Sequence, residues 1–506
     1  MYPIDHLWAA AARFGAQPAV LHAGGAISYR ELAAAVVARA AGLIAAEPTP
    51  GGIVAVGADN DPQHLITILA VLAAGKVWVP LNPRNGDPEL RRILEFVEPG
   101  LIVGDAAMAE RLGGLGFAVR VIDGLLGGDS AGLPMGPRAA SAIDLRRTQA
   151  IKFTGGSTGV PKGVCQPLRA WNACIAAQVH HLRLVPGDRY LVSAPLTHGT
   201  STYMLPFLAV GGALVFAEEA RAPALLDAAA RHRASVCYGP PTQILNLMEE
   251  QRRAPRDLSA LRLVVYGSGP MRPEQIRAAQ AVFGPIVGTC YGQTEAPQMI
   301  SYLPPEEMHG AGLSSVGRAC ILSRVAILAP DGKVLPAGVE GEICVRGDLL
   351  MSGYHRDEAT TAAVMGQGWL RTGDGGMIDE SGLIHLRDRL KDVIISGGFN
   401  IFPADVETVL ARHPAVLNCA VVGVADAHWG EAVHAAVEFR AGHGADAEEL
   451  KALVRAELGA VKTPKQVHVF APLPRNPVGK ILKSAIREQI GRDQILESQP
   501  RVGPSA

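Results

Sequence analysis

Short apolar runs rich in β-branched residues alternate along this chain with Ala-, Leu-, Glu- and Arg-rich segments, and that alternation limits the fold more than any other feature. Residues Gly52 to Gly57 read as a buried strand, Pro62 to Ala74 as a helix and Val77 to Val79 as the next strand. The pattern returns at Leu101 to Val103, Ala213 to Phe216, Ser235 to Tyr238 and Leu261 to Val265. Strand–helix alternation of this kind implies an α/β protein with stacked, mainly parallel sheets. At roughly 100–200 residues per domain, 506 residues make two to four packed units.

The texture changes near residue 315. Ser323 to Gly347 and Gly382 to Leu386 look like short strands separated by Asp-Gly and Ser-Gly turns, which marks a β-rich subdomain. The charged stretch Asp388 to Asp392 then leads into a small α+β unit. Val416 to Val424 and Val433 to Phe439 read as strands, and Asp446 to Leu458 as an amphipathic helix with Leu450, Leu453, Val454 and Leu458 on one face. Asp446 and Glu449 form a candidate capping pair, and Gly459 a candidate stop. The expected boundary lies at 388, giving an N-terminal domain 1–388 and a C-terminal domain 389–506. The tail beyond Gly491 is polar and is expected to fray.

With 48% hydrophobic and 19% charged residues the chain suits a globular, water-soluble protein. A net charge of −1 leaves no basic footprint for nucleic acid and no polybasic signal for a membrane. The seven cysteines (165, 174, 237, 290, 320, 344 and 419) form no C-x-x-C pair and read as reduced thiols of a cytoplasmic protein, without zinc or iron–sulfur spacing. The N-terminus lacks a signal-peptide pattern. The apolar run Leu65 to Ala74 is about half a membrane span, so it reads as a buried helix and no membrane span is expected.

The chemistry concentrates first in Ile151 to Gly163, where a strand-like entry runs into four glycines, three hydroxyl residues and Lys162. Glycines let backbone N–H groups approach an anion, and the hydroxyls and lysine complete a phosphate cradle. A Walker A loop requires Gly-Lys-Ser/Thr, whereas Lys162 lies between Pro161 and Gly163. Gly155, Ser157 and Gly159 also satisfy G-x-S-x-G, which would make Ser157 the nucleophile of an esterase, but that reading leaves the acids and lysines farther along unexplained. The run Gly267 to Arg272 begins like a dinucleotide fingerprint and lacks its third glycine.

The stretch Phe153 to Gly163 resembles the phosphate loop of the adenylate-forming (AMP-binding) superfamily, which includes acyl- and aryl-CoA synthetases. Further motifs follow in the family's order. Tyr291 to Glu295 is similar to its Y-G-x-T-E, Gly341 to Gly347 to its G-E-[IL]-x-[VI]-x-G, and Trp369 to Asp374 to its W-x-x-T-G-D. Arg389 to Glu407 resembles its hinge and glycine loop, and Pro474 to Lys480 its terminal P-x-x-x-x-G-K. The matches span residues 150–483. Gly155 departs from the family, which usually has Ser there.

The resemblance implies a two-step ligase. ATP and a carboxylic acid give an acyl-adenylate and pyrophosphate, and coenzyme A then gives the thioester and AMP, with a small mobile C-terminal domain serving both steps. Attack on the α-phosphate builds charge that cations and aimed donors must neutralise. By the resemblance, Thr154, Gly155, Gly156, Ser157, Thr158, Gly159 and Lys162 hold the β/γ-phosphates, with Thr294 alongside. Glu295 is the Mg²⁺ carboxylate. Tyr291 stacks on adenine, and Gly267, Ser268 and Gly269 form a thin wall beside it. Asp374 takes the ribose hydroxyls and Arg389 a ribose–phosphate contact. Lys480 bridges carboxylate and α-phosphate, Lys391 is the hinge, Gly397 and Gly398 admit the pantetheine arm, and His198 stands beside the carboxylate.

No acid follows His198 where an α-amino-acid enzyme would pair the ammonium, and 26 residues after Lys480 leave no room for a carrier domain. The acceptor expected is therefore CoA, with a carrier protein as the alternative. The acid pocket should draw on Tyr238, Pro240, Gly267, Ala296 and the segments 198–204 and 296–299, mainly small or apolar, which fits an aromatic, alicyclic or medium-chain acid. The expected partner is that small-molecule acid. Oligomeric state, a homodimer included, is left open by the sequence.

Overall fold

The computed structural model describes residues 1–125, 143–154, 162–389, 392–396, 399–426, 429–476 and 479–498. The predicted parallel strands form two sheets. One has seven strands in the order Gly353–Tyr354, Lys162–Pro167, Thr148–Thr154, Val77–Leu81, Ile53–Gly57, Leu101–Gly104 and Arg120–Val121. It is parallel from Thr148–Thr154 to Arg120–Val121, while its first two strands join antiparallel. The other has nine strands, in the order Arg318–Ala319, Ser301–Leu303, Val287–Tyr291, Leu263–Tyr266, Val236–Gly239, Arg189–Leu191, Ala213–Val215, Pro18–His22 and Gly25–Ser28. Its six central strands are parallel and its edges antiparallel.

Continuous apolar strands need cover on both faces, and three helical layers supply it. One core holds Val54, Val56 and Trp78 of the first sheet and Val20, Leu214 and Val236 of the second. Helices Tyr29–Ala46, Pro62–Ala73 and Met204–Val210 fill the space between. Pro62–Ala73 is buried from His64 to Ala73, as expected of a helix apolar all round. Asp61 caps it, its side chain accepting from His64 N at 2.6 Å, a cap of about 1 kcal/mol. Outer helices Ala222–Arg231, Pro241–Arg253 and Pro273–Phe283 cover the far face of the nine-stranded sheet. Asp87–Val97 and Ala106–Gly114 cover that of the seven-stranded one.

A five-stranded sheet built from Ser323–Leu328, Gly341–Gly347, Trp369–Ile378, Met365–Gly366 and Ile384–Arg389 accounts for the turn-rich texture beyond residue 315. By its contacts the chain divides into two compact units. The first comprises Met1–Ala326, Cys344–Thr372 and Ile378–His385, the second Ile327–Ile343, Gly373–Met377 and Leu386–Ala506. In the second unit, Val416–Asp426 and Gly430–Phe439 form a long antiparallel hairpin. Ile394–Ser396 and Gln466–Val469 also pair with Gly430–Phe439. Helices Pro403–Leu410 and Ala447–Lys462 pack over one core of this unit, and Lys483–Ser498 contributes Ile486 and Ile490 to another.

Two local expectations are corrected and one is met. Asp446 caps its helix by accepting from Glu448 N at 3.0 Å, while Glu449 turns to His413 at 3.0 Å instead of closing a capping box. The long-range imidazole competes successfully for a carboxylate that local rules assign to the cap. Gly459 is the stop the sequence offers: at φ 79° it ends the amphipathic helix, and a separate short helical turn follows to Lys462. Of the expected frayed tail, 491–498 are helical, because the buried Ile486 and Ile490 anchor the segment upstream and Arg492 pairs with Glu488 one turn back, while 499–506 lie outside the described residues.

Candidate active site

Thr154 faces Lys162 across an antiparallel pair, so the glycine-rich stretch connects the two arms of a hairpin. Gly155, Gly156, Ser157, Thr158 and Gly159, with the side chain of Thr154, lie outside the described residues. Lys162 opens the second arm, its Nζ 5.5 Å from the centroid of the Tyr354 ring. Tyr354 is registered against Val164 on the neighbouring edge strand, and its hydroxyl donates to Glu295 Oε1 at 2.8 Å. One tyrosine therefore touches both the lysine at the loop exit and the expected metal carboxylate.

Thr294 and Glu295 lie in the turn after the strand Val287–Tyr291. Gln166 Nε2 donates to Thr294 O at 2.8 Å and Met351 N to Glu295 O at 2.8 Å. Gln293 and Ala296 exchange backbone bonds of 3.0 and 3.2 Å. A Cβ on Gly292 would come within 2.5 Å of Gln298 N, so this turn closes only with glycine there. Tyr291 is buried at the strand end, and Ala296 is fully buried.

His198 is half-buried and precedes the short turn Gly199–Tyr203. Burial pushes its imidazole down to about 4, opposed by its Thr197 bond and helped by the charges of Lys152 and Arg84. At neutral pH it is therefore an uncharged ring. Its carbonyl accepts from Ser201 Oγ at 2.7 Å. Nearby, Tyr238 is 2% exposed and its hydroxyl meets Ser268 Oγ at 2.9 Å. A Cβ on Gly267 would meet Cys290 Sγ at 3.0 Å and the Tyr238 ring at 3.1 Å, so Gly267 packs directly against the tyrosine, with Gly269 following in the same loop. Ser268 and Gln298 hold left-handed backbone angles, φ 65° and 61°, a strain that concentrates at working sites. Tyr238 stacks on Tyr203 at 4.6 Å, and Tyr203 on Tyr190 at 5.1 Å.

In the second unit, Asp374 is 8% exposed within the strand Trp369–Ile378. Glu342 Oε1 accepts from Gly373 N at 3.0 Å and pins the backbone beside it. Arg389 ends the strand Ile384–Arg389. Its side chain lies outside the described residues, as do Lys391, Gly397 and Gly398. Lys480 is exposed on a turn closed by Asn476 N to Lys480 O at 2.8 Å and Lys480 N to Asn476 Oδ1 at 2.9 Å.

Sequence reasoning missed Tyr354, Gln166 and Glu342. Glu342 stood inside a quoted motif without a role. Tyr354 and Gln166 carry no local signal: the first gains its contacts from the register of an edge strand, and the second from the approach of its strand to the turn at Thr294. Among the described residues no group of three His, Cys, Asp or Glu side chains could cage a metal, and no helix is long and apolar enough to cross a membrane.

Residues 7–355 match the family model for AMP-binding enzymes, and 405–480 the AMP-binding enzyme C-terminal domain. The chain is 36% identical over 480 residues to a feruloyl-CoA synthase of Amycolatopsis sp, covering 94% of this chain and 96% of that protein. Among solved structures it superposes with TM-score 0.84 and 33% identity on the amide bond synthetase McbA from Marinactinospora thermotolerans, covering 96% of this chain and 99% of that one. It superposes with TM-score 0.86 and 28% identity on ATP-bound MatB from Rhodopseudomonas palustris, covering 97% and 99%.

Proposed function

The chain belongs to the AMP-binding enzyme family, as an ATP-dependent carboxylic acid:CoA ligase, and on that premise we propose which residues serve each step and which acids enter. The observation that carries the proposal is the Tyr354 bridge, which fixes the Glu295 carboxylate beside Lys162 at the phosphate-loop exit. In the first step Thr154, Gly155, Gly156, Ser157, Thr158, Gly159, Lys162 and Thr294 cradle the β/γ-phosphates, and Lys480 stabilises the charge developing between acid and α-phosphate. Tyr291 takes adenine, while Asp374 and Arg389 take the ribose.

A single carboxylate fixed at one oxygen suits Mg²⁺, which is commonly held by one or two carboxylates plus substrate phosphates. Glu295 would hold it, and the ion would neutralise phosphate charge. Neutral His198 borders the acid and can offer it a hydrogen bond without a buried positive charge. The domain division at 388 with a hinge at Lys391 would let the second unit present Lys480 for adenylation and Gly397 and Gly398 for CoA.

The ring wall of Tyr203 and Tyr238, with Gly267 and Ala296, supports an aromatic, alicyclic or medium-chain acid. The feruloyl-CoA relative is named for an aromatic one. The test is ATP–pyrophosphate exchange against a panel of benzoates, cinnamates, alicyclic acids and fatty acids with Mg²⁺, followed by CoA, a carrier protein or an amine as acceptor. Exchange confined to short polar acids would refute the substrate class. Adenylate release to a carrier or an amine in preference to CoA would reassign the second step.

A further inference from the structure

Lys152 is charged in sequence and buried in the fold. It lies on Thr148–Thr154, two residues before the phosphate loop, and is 6% exposed. Its Nζ lies 5.0 Å from the Trp78 ring centroid and 5.4 Å from that of Trp171, and it donates to Ser201 Oγ at 2.7 Å. No carboxylate among the described residues forms an ion pair with it. Burial pushes its amine down to about 7, against a small opposing effect of the Cys174 thiol. A methionine would fill this apolar slot without the cost of burying an amine, so the lysine calls for a functional reason.

Ser201 supplies one. It is fully buried, and its single hydroxyl proton goes to His198 O at 2.7 Å, which leaves its oxygen to accept from Lys152. The chain Lys152 Nζ–H to Ser201 Oγ–H to His198 O ties the strand entering the phosphate loop to the turn carrying the acid-facing histidine. We propose that Lys152 is a positioning residue which, through Ser201, holds His198 in register with the phosphate loop and so sets binding of the carboxylic acid. The proposal rests on the ligase reading for its kinetic consequence and on geometry alone for its structural one.

The test uses Lys152→Met, Ser201→Ala and the double variant of the full chain. Each single change should raise KM for the acid roughly 5- to 10-fold, the effect of one lost hydrogen bond, and leave KM for ATP within about twofold. The double variant should be no worse than the worse single one, because both cut the same chain. Lys152→Met should melt no lower than the parent. An unchanged KM for the acid, additive losses, or a lowered Tm with acid and ATP affinity falling together would overturn the proposal. The His198 imidazole NMR signal gives a readout that needs no turnover. It should shift in both single variants, and an unshifted signal sinks the proposal even if wild-type protein shows no exchange with any acid, the outcome that would separately remove the ligase reading.

Discussion

The two units hold their candidate residues in different ways. In the first, strand side chains are tied to side chains in neighbouring turns: Tyr354 to Glu295, and Lys152 to Ser201. In the second, Lys480 extends exposed from a turn in which bonds from Asn476 N to Lys480 O, and from Lys480 N to Asn476 Oδ1, hold its backbone. Arg475 backs that turn, donating to Gly479 O at 2.9 Å and reaching Glu438 at 3.3 Å. The first arrangement fixes positions to fractions of an ångström and suits groups that must already be in place when phosphate arrives. The second fixes the backbone from which a long, solvent-exposed side chain extends. Preorganisation and reach are thus divided between the units.

The sharpest way to break this comparison is Lys480→Ala. Adenylation should fall by at least ~10²-fold, as on loss of one transition-state donor, while CoA attack on supplied acyl-adenylate stays near wild type. Equal loss in both half-reactions would mean Lys480 has no step-specific task. Next is Glu295→Gln, expected to lower exchange by ~10–100-fold and to raise the Mg²⁺ concentration needed. A loss that no Mg²⁺ concentration alters would place that carboxylate elsewhere in the mechanism. Tyr354→Phe removes only the tether and should cost roughly 5- to 10-fold, with the same rightward Mg²⁺ shift. No shift would show that the bridge does not govern the acid.

The last expected effect is on stability rather than on rate. Burial pushes His64, His198 and His434 each down to about 4, whereas an unfolded histidine titrates at about 6.5. Between those values the unfolded chain binds the extra protons, so stability is whole above pH ~6.5 and drains as pH falls toward 4. Lys152 acts in another window. Its amine titrates at about 7 in the fold and 10.5 in the unfolded chain, so its contribution rises with pH from 7, until the buried Cys174, Cys237 and Cys290 thiols, pushed up from 9 to about 12, 11 and 12, oppose it above pH ~9. Tm recorded from pH 4 to 8.5 should show both slopes, and Lys152→Met should erase only the rise above pH 7. A flat profile would contradict the burial of these groups.

Much of this was legible in sequence where the cause is local. The parallel strands were visible because burial on two faces demands unbroken apolar runs. Thr294 and Glu295 were visible only as part of a family motif; that Gly292 has no room for a side chain, which closes their turn, is a finding of the structure. What escaped depends on which distant strands meet. Ile151, Lys152, Phe153 and Thr154 read as an entry to a loop, with the lysine unremarked. Its burial follows only from placing that strand inside the sheet, between Val77–Leu81 and Lys162–Pro167, beneath a helix bearing Trp171. Tyr354 likewise acquires meaning only from its register with Val164. The Asp446–Glu449 cap failed for a related reason, since His413 arrives from another element to claim the acid.

The order of strands in the nine-stranded sheet also sets a schedule for biogenesis. Pro18–His22 lies beside Ala213–Val215, with Val20 opposite Leu214. A ribosome adding ~5–20 residues per second needs about 10–40 s to deliver that partner. Throughout that interval the earliest hairpin waits with one strand edge unpaired, an edge of the kind that invites pairing with another chain.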